Sequence, residues 1–245
     1  MALQRESWTW NSARLAEPAR VVRWGHFGTP VLLFPSAGGD FEEVERFHLV
    51  QALGALIEAG RIKVFSIDGI AGKAWLRGTT PPEQCAHAQN LYEAYVHDEV
   101  VPHIRRDCHS DTLEIITAGS AIGAFNAVAH LCRHPEVFRA AIGMSGTYDL
   151  SGYLEGGFTP GMYPASPLHY LPDLSEGWQL NALRRRFVQL ATGEGTYEVP
   201  EQSRRMAATL EGKRIPNQLD LWGREHAHGW STWREMLPKY LTALA

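Results

Sequence analysis

Residues 117–127, Thr-Ala-Gly-Ser-Ala-Ile-Gly-Ala-Phe-Asn-Ala, join an apolar run at 113–117 to a helical pattern at 121–134. A chain that turns sharply from strand into helix lifts its apex residue above the end of a sheet, and a serine at that apex becomes an exposed nucleophile. The bend is tight enough that the residues two before and two after the apex must be small. With Ser120 at the apex the flanks would be Ala118 and Ile122, and a β-branched side chain does not suit so crowded a place. With residue 121 at the apex the flanks are Gly119 and Gly123, and both glycines are accounted for together. The register therefore puts Ala121 at the nucleophile position. A methyl group cannot attack a carbonyl. Three readings follow: a serine replaced by design so that a ligand is bound but not consumed, a naturally inactive relative, or a structural Gly-x-x-x-Gly turn.

A nucleophile on such a turn is served by an acid and then a histidine further along the chain. The later histidines are His130, His134, His169, His226 and His228. His130 and His134 stand four apart on a helical pattern, a spacing open to a metal, but no third ligand is in view and the pair reads as a solvated helix face. His226 and His228 follow the last apolar run, where a catalytic base belongs, and position alone does not separate them. A carboxylate after the run at 187–191 would orient the imidazole; Glu194 and Glu198 both qualify, whereas Glu201 reads as a first-turn helix acid. Two backbone N–H groups would complete an oxyanion hole, one from Ile122 and one from Ala37 in the loop after Phe34.

These residues need elements to hold them. Apolar runs at 31–34, 63–67, 113–117, 140–144, 187–191 and 218–222 read as strands. Helical patterns lie at 41–59, 84–106 (interrupted by Pro102), 121–134, 200–212 and 231–244. Strands separated by helices require crossover connections, so the economical architecture is an α/β fold: a mostly parallel twisted sheet with helices on both faces. Its ligands bind beyond the carboxyl ends of the strands, where Ala37, Ala121, Ile122, Glu194, Glu198, His226 and His228 lie. Whether Trp8 and Trp10 belong to an extra strand or to a cap is left open.

The chain has 245 residues, 44% of them hydrophobic and 20% charged, which fits one large domain over 1–245. A net charge of −4 gives no electrostatic footprint for nucleic acid or an anionic membrane. No apolar stretch could span a bilayer, and no secretory signal is evident. Three cysteines, Cys85, Cys108 and Cys132, point to a reducing cytoplasm rather than a disulfide framework.

Taken together, the segments 34–41, 119–127, 133–138, 144–149, 220–223 and 228–230 resemble the esterase D and mycolyltransferase-antigen branch of the α/β-hydrolases. That resemblance implies a serine carboxylic-ester hydrolase with a small-molecule ester as substrate. It carries the base to His228 and the acid to Glu198, and it requires no cofactor or metal. Related sequences have serine where Ala121 stands. A non-catalytic ligand-binding homologue and an acyltransferase are the alternatives. Ser36, Trp75 and Tyr148 are expected to contact substrate. A Gly- and Pro-rich excursion at about 148–175, carrying Gly156, Gly157, Phe158, Tyr163 and Tyr170, is expected to cover the mouth of the site.

Overall fold

The computed structural model describes residues 3–76, 80–154 and 158–245. An antiparallel hairpin comes first, β1 (Arg5–Asn11) and β2 (Pro18–Trp24), so Trp8 and Trp10 lie in a strand. Then follow β3 (Thr29–Phe34), three short helices α1 (Glu43–Arg46), α2 (Leu49–Ala52) and α3 (Gly54–Glu58), β4 (Ile62–Ile67) and α4 (Ile70–Leu76). Helix α5 (Pro82–Tyr95) passes through a π turn (Val96–Val100) into α6 (Val101–Asp107). The remainder alternates: β5 (Ile115–Ser120), α7 (Ile122–Arg133), β6 (Phe138–Met144), α8 (Pro167–Tyr170), α9 (Trp178–Leu183), β7 (Phe187–Thr192), α10 (Pro200–Gly212), β8 (Asn217–Leu221) and α11 (Trp230–Leu244).

The eight strands form one sheet in the order β1-β2-β4-β3-β5-β6-β7-β8. Pairings from β4 through β8 are parallel, and β2 meets β4 antiparallel. Successive side chains of a strand point to opposite faces, and here both faces are covered. Leu32 and Phe34 enter a layer with α5, α6, α7 and α10, while Val31 and Leu33 enter one with α1, α2, α3 and α11. Burial on both sides is why the strands read as continuous apolar runs instead of alternating ones. Register aligns the carboxyl ends: Phe34 is opposite Gly119, Ser120 opposite Met144, and Met144 opposite Ala191.

Three expectations are corrected. The pattern at 41–59 is not one helix: His48, with φ of 62°, breaks it after α1. The pattern at 84–106 is not interrupted at Pro102; the helical path continues through the π turn into α6, and Pro102, which has no N–H to give, directly follows that turn, where the regular bonding already shifts. His130 is not on a solvated face. Every residue of α7 from Ile122 to Cys132 is buried. The His130 ring stacks on Phe34 at 4.7 Å, and its Nδ1 faces the Asn126 carbonyl at 2.7 Å. Burial pushes its pKa down to about 4. Among the described residues, no helix is long and apolar enough to cross a membrane.

Candidate active site

The connection between β5 and α7 is a single residue, Ala121, at φ 52° and ψ −119°. This is a sparsely populated conformation for an L-residue, costing on the order of 1–3 kcal/mol. The surroundings impose it: Ala121 N–H donates to Met144 O at 3.1 Å, and Thr147 N–H donates to Ala121 O at 3.1 Å. A Cβ on Gly119 would stand 2.3 Å from the Gly123 carbonyl carbon, and one on Gly123 would stand 2.4 Å from Phe34 O. Both flanks therefore have to be glycine. Ser120 is the last residue of β5 and is buried.

Ala121 lines a cavity of about 620 Å³ over the carboxyl ends of the strands, together with Ala37, Ile122 and His228. Ile122 opens α7, where the first N–H groups have no intrahelical acceptor. Ala37, at φ 42°, sits in the loop after β3. A buried carboxylate holds that loop: Glu43 accepts from Ser36 N–H at 2.7 Å and Ser36 Oγ–H at 2.8 Å. Burial raises the Glu43 pKa against the opposing pull of those two bonds. The far end of the loop is tied by Asp68, which accepts from Phe41 N–H at 3.2 Å and is gripped bidentately by Arg20 at 2.9 and 2.8 Å.

Glu198 and His228 come from the loops after β7 and β8. Their main chains are joined by three bonds: Glu194 N–H to Gly223 O at 2.9 Å, Gly195 N–H to His226 O at 3.0 Å, and His228 N–H to Thr196 O at 3.0 Å. The approach is close enough that a Cβ on Gly193 would fall 1.9 Å from His226 O. His228 Nδ1 lies 3.6 Å from Glu198 Oε2, an ion-pair distance longer than a hydrogen bond. The His228 ring packs edge-on against Trp233. Glu198 is almost fully buried and accepts from Ser145 Oγ–H at 2.5 Å and Thr192 Oγ1–H at 3.0 Å. Burial alone would raise its pKa, but His228, Ser145 and Thr192 outweigh that and hold it below the ordinary glutamate value. Ser145 also accepts from Trp233 Nε1–H at 2.9 Å, so the hydroxyl is fixed as a donor toward Glu198.

The structure thus brings Ala37, Ala121, Ile122 and His228 to one cavity, with Glu198 behind the histidine. The other candidates lie elsewhere. His226 turns away, its Nδ1 on Trp222 O at 2.8 Å, and Glu194 faces Arg204. Ser36 is bound to Glu43 and does not line the cavity. Trp75 is 2% exposed in a cluster with Phe125, Leu150 and Met162, and Tyr148 is 1% exposed beneath Gly143 and Gly146. Neither is a wall: large aromatics after strand ends serve as packing here. Among the described residues of the 148–175 excursion, Asp149, Ser151, Gly152 and Tyr153 line the cavity; Phe158 stacks on His169, Tyr163 bonds Asp173, and Tyr170 is in the core. Gly156 and Gly157 lie outside the described residues. The residues that sequence reasoning missed are Glu43, Asp68, Ser145, Thr192 and the cavity-lining Gln202.

The family model described as "Putative esterase" matches residues 27–243. No curated protein matches. Among solved structures, a ferulic acid esterase is similar at 15% identity, with 99% of this chain and 97% of that chain covered and a TM-score of 0.77. An S-formylglutathione hydrolase from Agrobacterium tumefaciens is similar at 14% identity, covering 98% and 94%, with a TM-score of 0.73. MPT51 of Mycobacterium tuberculosis is similar at 16% identity, covering 99% and 98%, with a TM-score of 0.73. At such identities the structural likeness speaks for the fold, an α/β-hydrolase fold, while the family match spans nearly the whole sequence, and the chain belongs to this esterase family of carboxylic ester hydrolases.

Proposed function

We infer that the cavity is built for serine-type hydrolysis of a small carboxylic ester, with Ala121 standing in the nucleophile's place. The observation that carries this reading is the strained apex at residue 121, in one cavity with a histidine that is backed by a buried, ionised Glu198. With a serine there, Oγ would attack the ester carbonyl while His228 takes its proton, and Glu198 would hold the imidazole tautomer and balance its charge. The developing oxyanion would accept the N–H groups of Ile122 and Ala37. Collapse would break the C–O bond, the alcohol leaving with the proton from His228. A water activated by the same histidine would then release the acid and free the serine. With alanine at 121 the chain binds an ester without forming the acyl intermediate.

The methyl group itself favours a second reading, a natural binding protein on this scaffold. Acyl transfer to an alcohol uses the same groups and differs only in the acceptor. The unpaired cysteines 85, 108 and 132 support a cytoplasmic location, and one domain over 1–245 suits the single sheet.

The test is Ala121→Ser, assayed with p-nitrophenyl esters of graded chain length and a fluorophosphonate probe. Hydrolysis should rise on the order of 10⁴–10⁶-fold over the alanine form, with covalent labelling at residue 121. A serine form that neither turns over nor labels rejects the hydrolase reading. A serine codon in the source gene rejects the natural-binder reading. Mixed water and alcohol acceptors separate hydrolysis from transfer by their products.

A further inference from the structure

Away from the cavity, two histidines and a glutamate meet where the π turn passes the end of α7. His97 lies within the π turn, His134 directly follows α7, and Glu136 precedes β6. Among the described residues these three offer ligand atoms that all lie within 4.8 Å of one another. None of them lines the active-site cavity. A π turn inserted into an α-helix frequently marks a functional position; in this one Glu99 accepts from Trp10, Ser12 and Arg14 and His97 faces the end of α7.

The hydrogen bonding argues for a cation. His134 Nε2 is 2.5 Å from Glu93 Oε1, and His97 Nδ1 is 2.7 Å from Asp98 Oδ1. In a neutral histidine those contacts claim the single N–H, leaving His134 Nδ1 and His97 Nε2 as bare lone pairs. Both lone pairs face the same carboxylate oxygen, Glu136 Oε1, at 3.3 and 3.9 Å. Lone pairs converging on an anion repel unless something positive lies between them. The two rings are stacked with centroids 4.1 Å apart, which brings one nitrogen of each to the same carboxylate. One divalent ion satisfies all three atoms.

Distances and surroundings agree. Tetrahedral zinc with nitrogen and oxygen ligands at about 2.0–2.2 Å separates its ligand atoms by about 3.4 Å. A carboxylate on the far nitrogen of each histidine is the usual way in which a protein fixes the tautomer and aim of a metal-binding imidazole. Arg133 holds Glu93 at 3.2 Å, and Arg14 holds Asp98 at 2.5 Å, so the supporting carboxylates are themselves anchored.

We propose that His97, His134 and Glu136 form a site for a transition-metal dication of zinc type, with Glu93 and Asp98 as its supporting carboxylates, clipping the end of α7 to the long helix. This site departs from the expectation that the chain has no metal. In the sequence no third ligand is in view beside His130 and His134; the structure brings His97 from the π turn to His134 and Glu136, while His130 takes no part.

Zinc chloride is titrated into the intact chain, first freed of metal with a chelator, by calorimetry in a non-coordinating buffer, and thermal unfolding is followed alongside. One zinc per chain is expected, with a rise in Tm at saturation. His97→Ala and His134→Ala should each weaken zinc binding at least tenfold, and Glu93→Gln about 10–100-fold. Cobalt should give tetrahedral absorption bands in the parent and not in the two alanine variants. Because Glu136 is exposed, Glu136→Gln provides a variant whose folding is not at risk, and it too should weaken binding. The double variant His226→Ala/His228→Ala should keep the zinc. Absence of saturable binding, binding indifferent to His97, His134 and Glu136, loss of binding in the 226/228 double variant, or calcium binding as tightly as zinc would each overturn the proposal.

Discussion

Ser145 Oγ stands between Trp233 Nε1, from which it accepts at 2.9 Å, and Glu198 Oε1, to which it donates at 2.5 Å. Since the indole has only a proton to give, the hydroxyl proton must point at the carboxylate. One neutral side chain thus orients the acid without adding charge to the site. Ser145 reaches this position through a left-handed backbone, φ 47°, secured by its N–H on Ala191 O at 2.7 Å.

Glu198→Gln, made in the Ala121→Ser form, should lower kcat for aryl esters by about 10³–10⁴-fold with a small effect on KM, because an amide can present the wrong tautomer of His228. Steady-state kinetics against the serine parent decides it. Stability carries a second signature. The folded pKa of Glu198 is depressed, so its ionised form adds stability above the ordinary glutamate value near 4.5, and that contribution fades as pH falls through the lower folded value. The stability gap between parent and Gln variant should therefore be full at neutral pH and close in acid, as read from urea unfolding at pH 3–7.

Gly119→Ala or Gly123→Ala should destabilise the protein by about 2–4 kcal/mol, since each new Cβ meets main-chain atoms that cannot rotate away. Chemical denaturation measures this. Ala118→Gly, one residue away in the same buried strand, should cost less, on the order of 1 kcal/mol.

Glu43→Gln in the serine form should reduce kcat roughly 10–100-fold with little change in KM. The two Ser36 bonds use the two carboxylate oxygens separately, and an amide offers only one acceptor oxygen, so one bond is lost or reversed and the loop that carries Ala37 is held less well. An equal fall for a substrate whose binding is unchanged would show the loss in the transition state, and an unchanged kcat would deny Glu43 this role.

His130→Leu should remove a pH dependence. In the folded chain His130 is held neutral down to about pH 4, whereas in the unfolded chain it takes up a proton near 6.5. The unfolded state therefore binds more protons between those values, and parent stability falls as pH drops from 6.5 toward 4, by roughly 3 kcal/mol from this group. The urea midpoint of the leucine variant should be flatter over that window.

The elements were largely readable because apolar runs and helical spacing follow from burial on two faces of a sheet, as at 31–34 and 140–144. The apex was readable because only one register places glycine at both crowded flanks, 119 and 123. Where two side chains meet across distant loops, the linear pattern carried no sign of it. Nothing near Glu43 announced Ser36, and nothing near Ser145 announced Glu198 or Trp233. Trp75 and Tyr148 were misplaced for a related reason: residue type does not tell an aromatic that lines a cavity from one that fills a core. His130 and His134 look alike on a helical wheel, yet one is sealed against Phe34 and the other meets a histidine from another helix.

The three main-chain bonds between the loops at 193–199 and 222–228 have a mechanical consequence. Glu198 and His228, the proposed acid and base, follow the two strands farthest from the hairpin, and β8 is a rim of the sheet. Tied in this way, the two loops form one unit, so a displacement of either would carry the other with it and leave the imidazole and its carboxylate in the same mutual orientation.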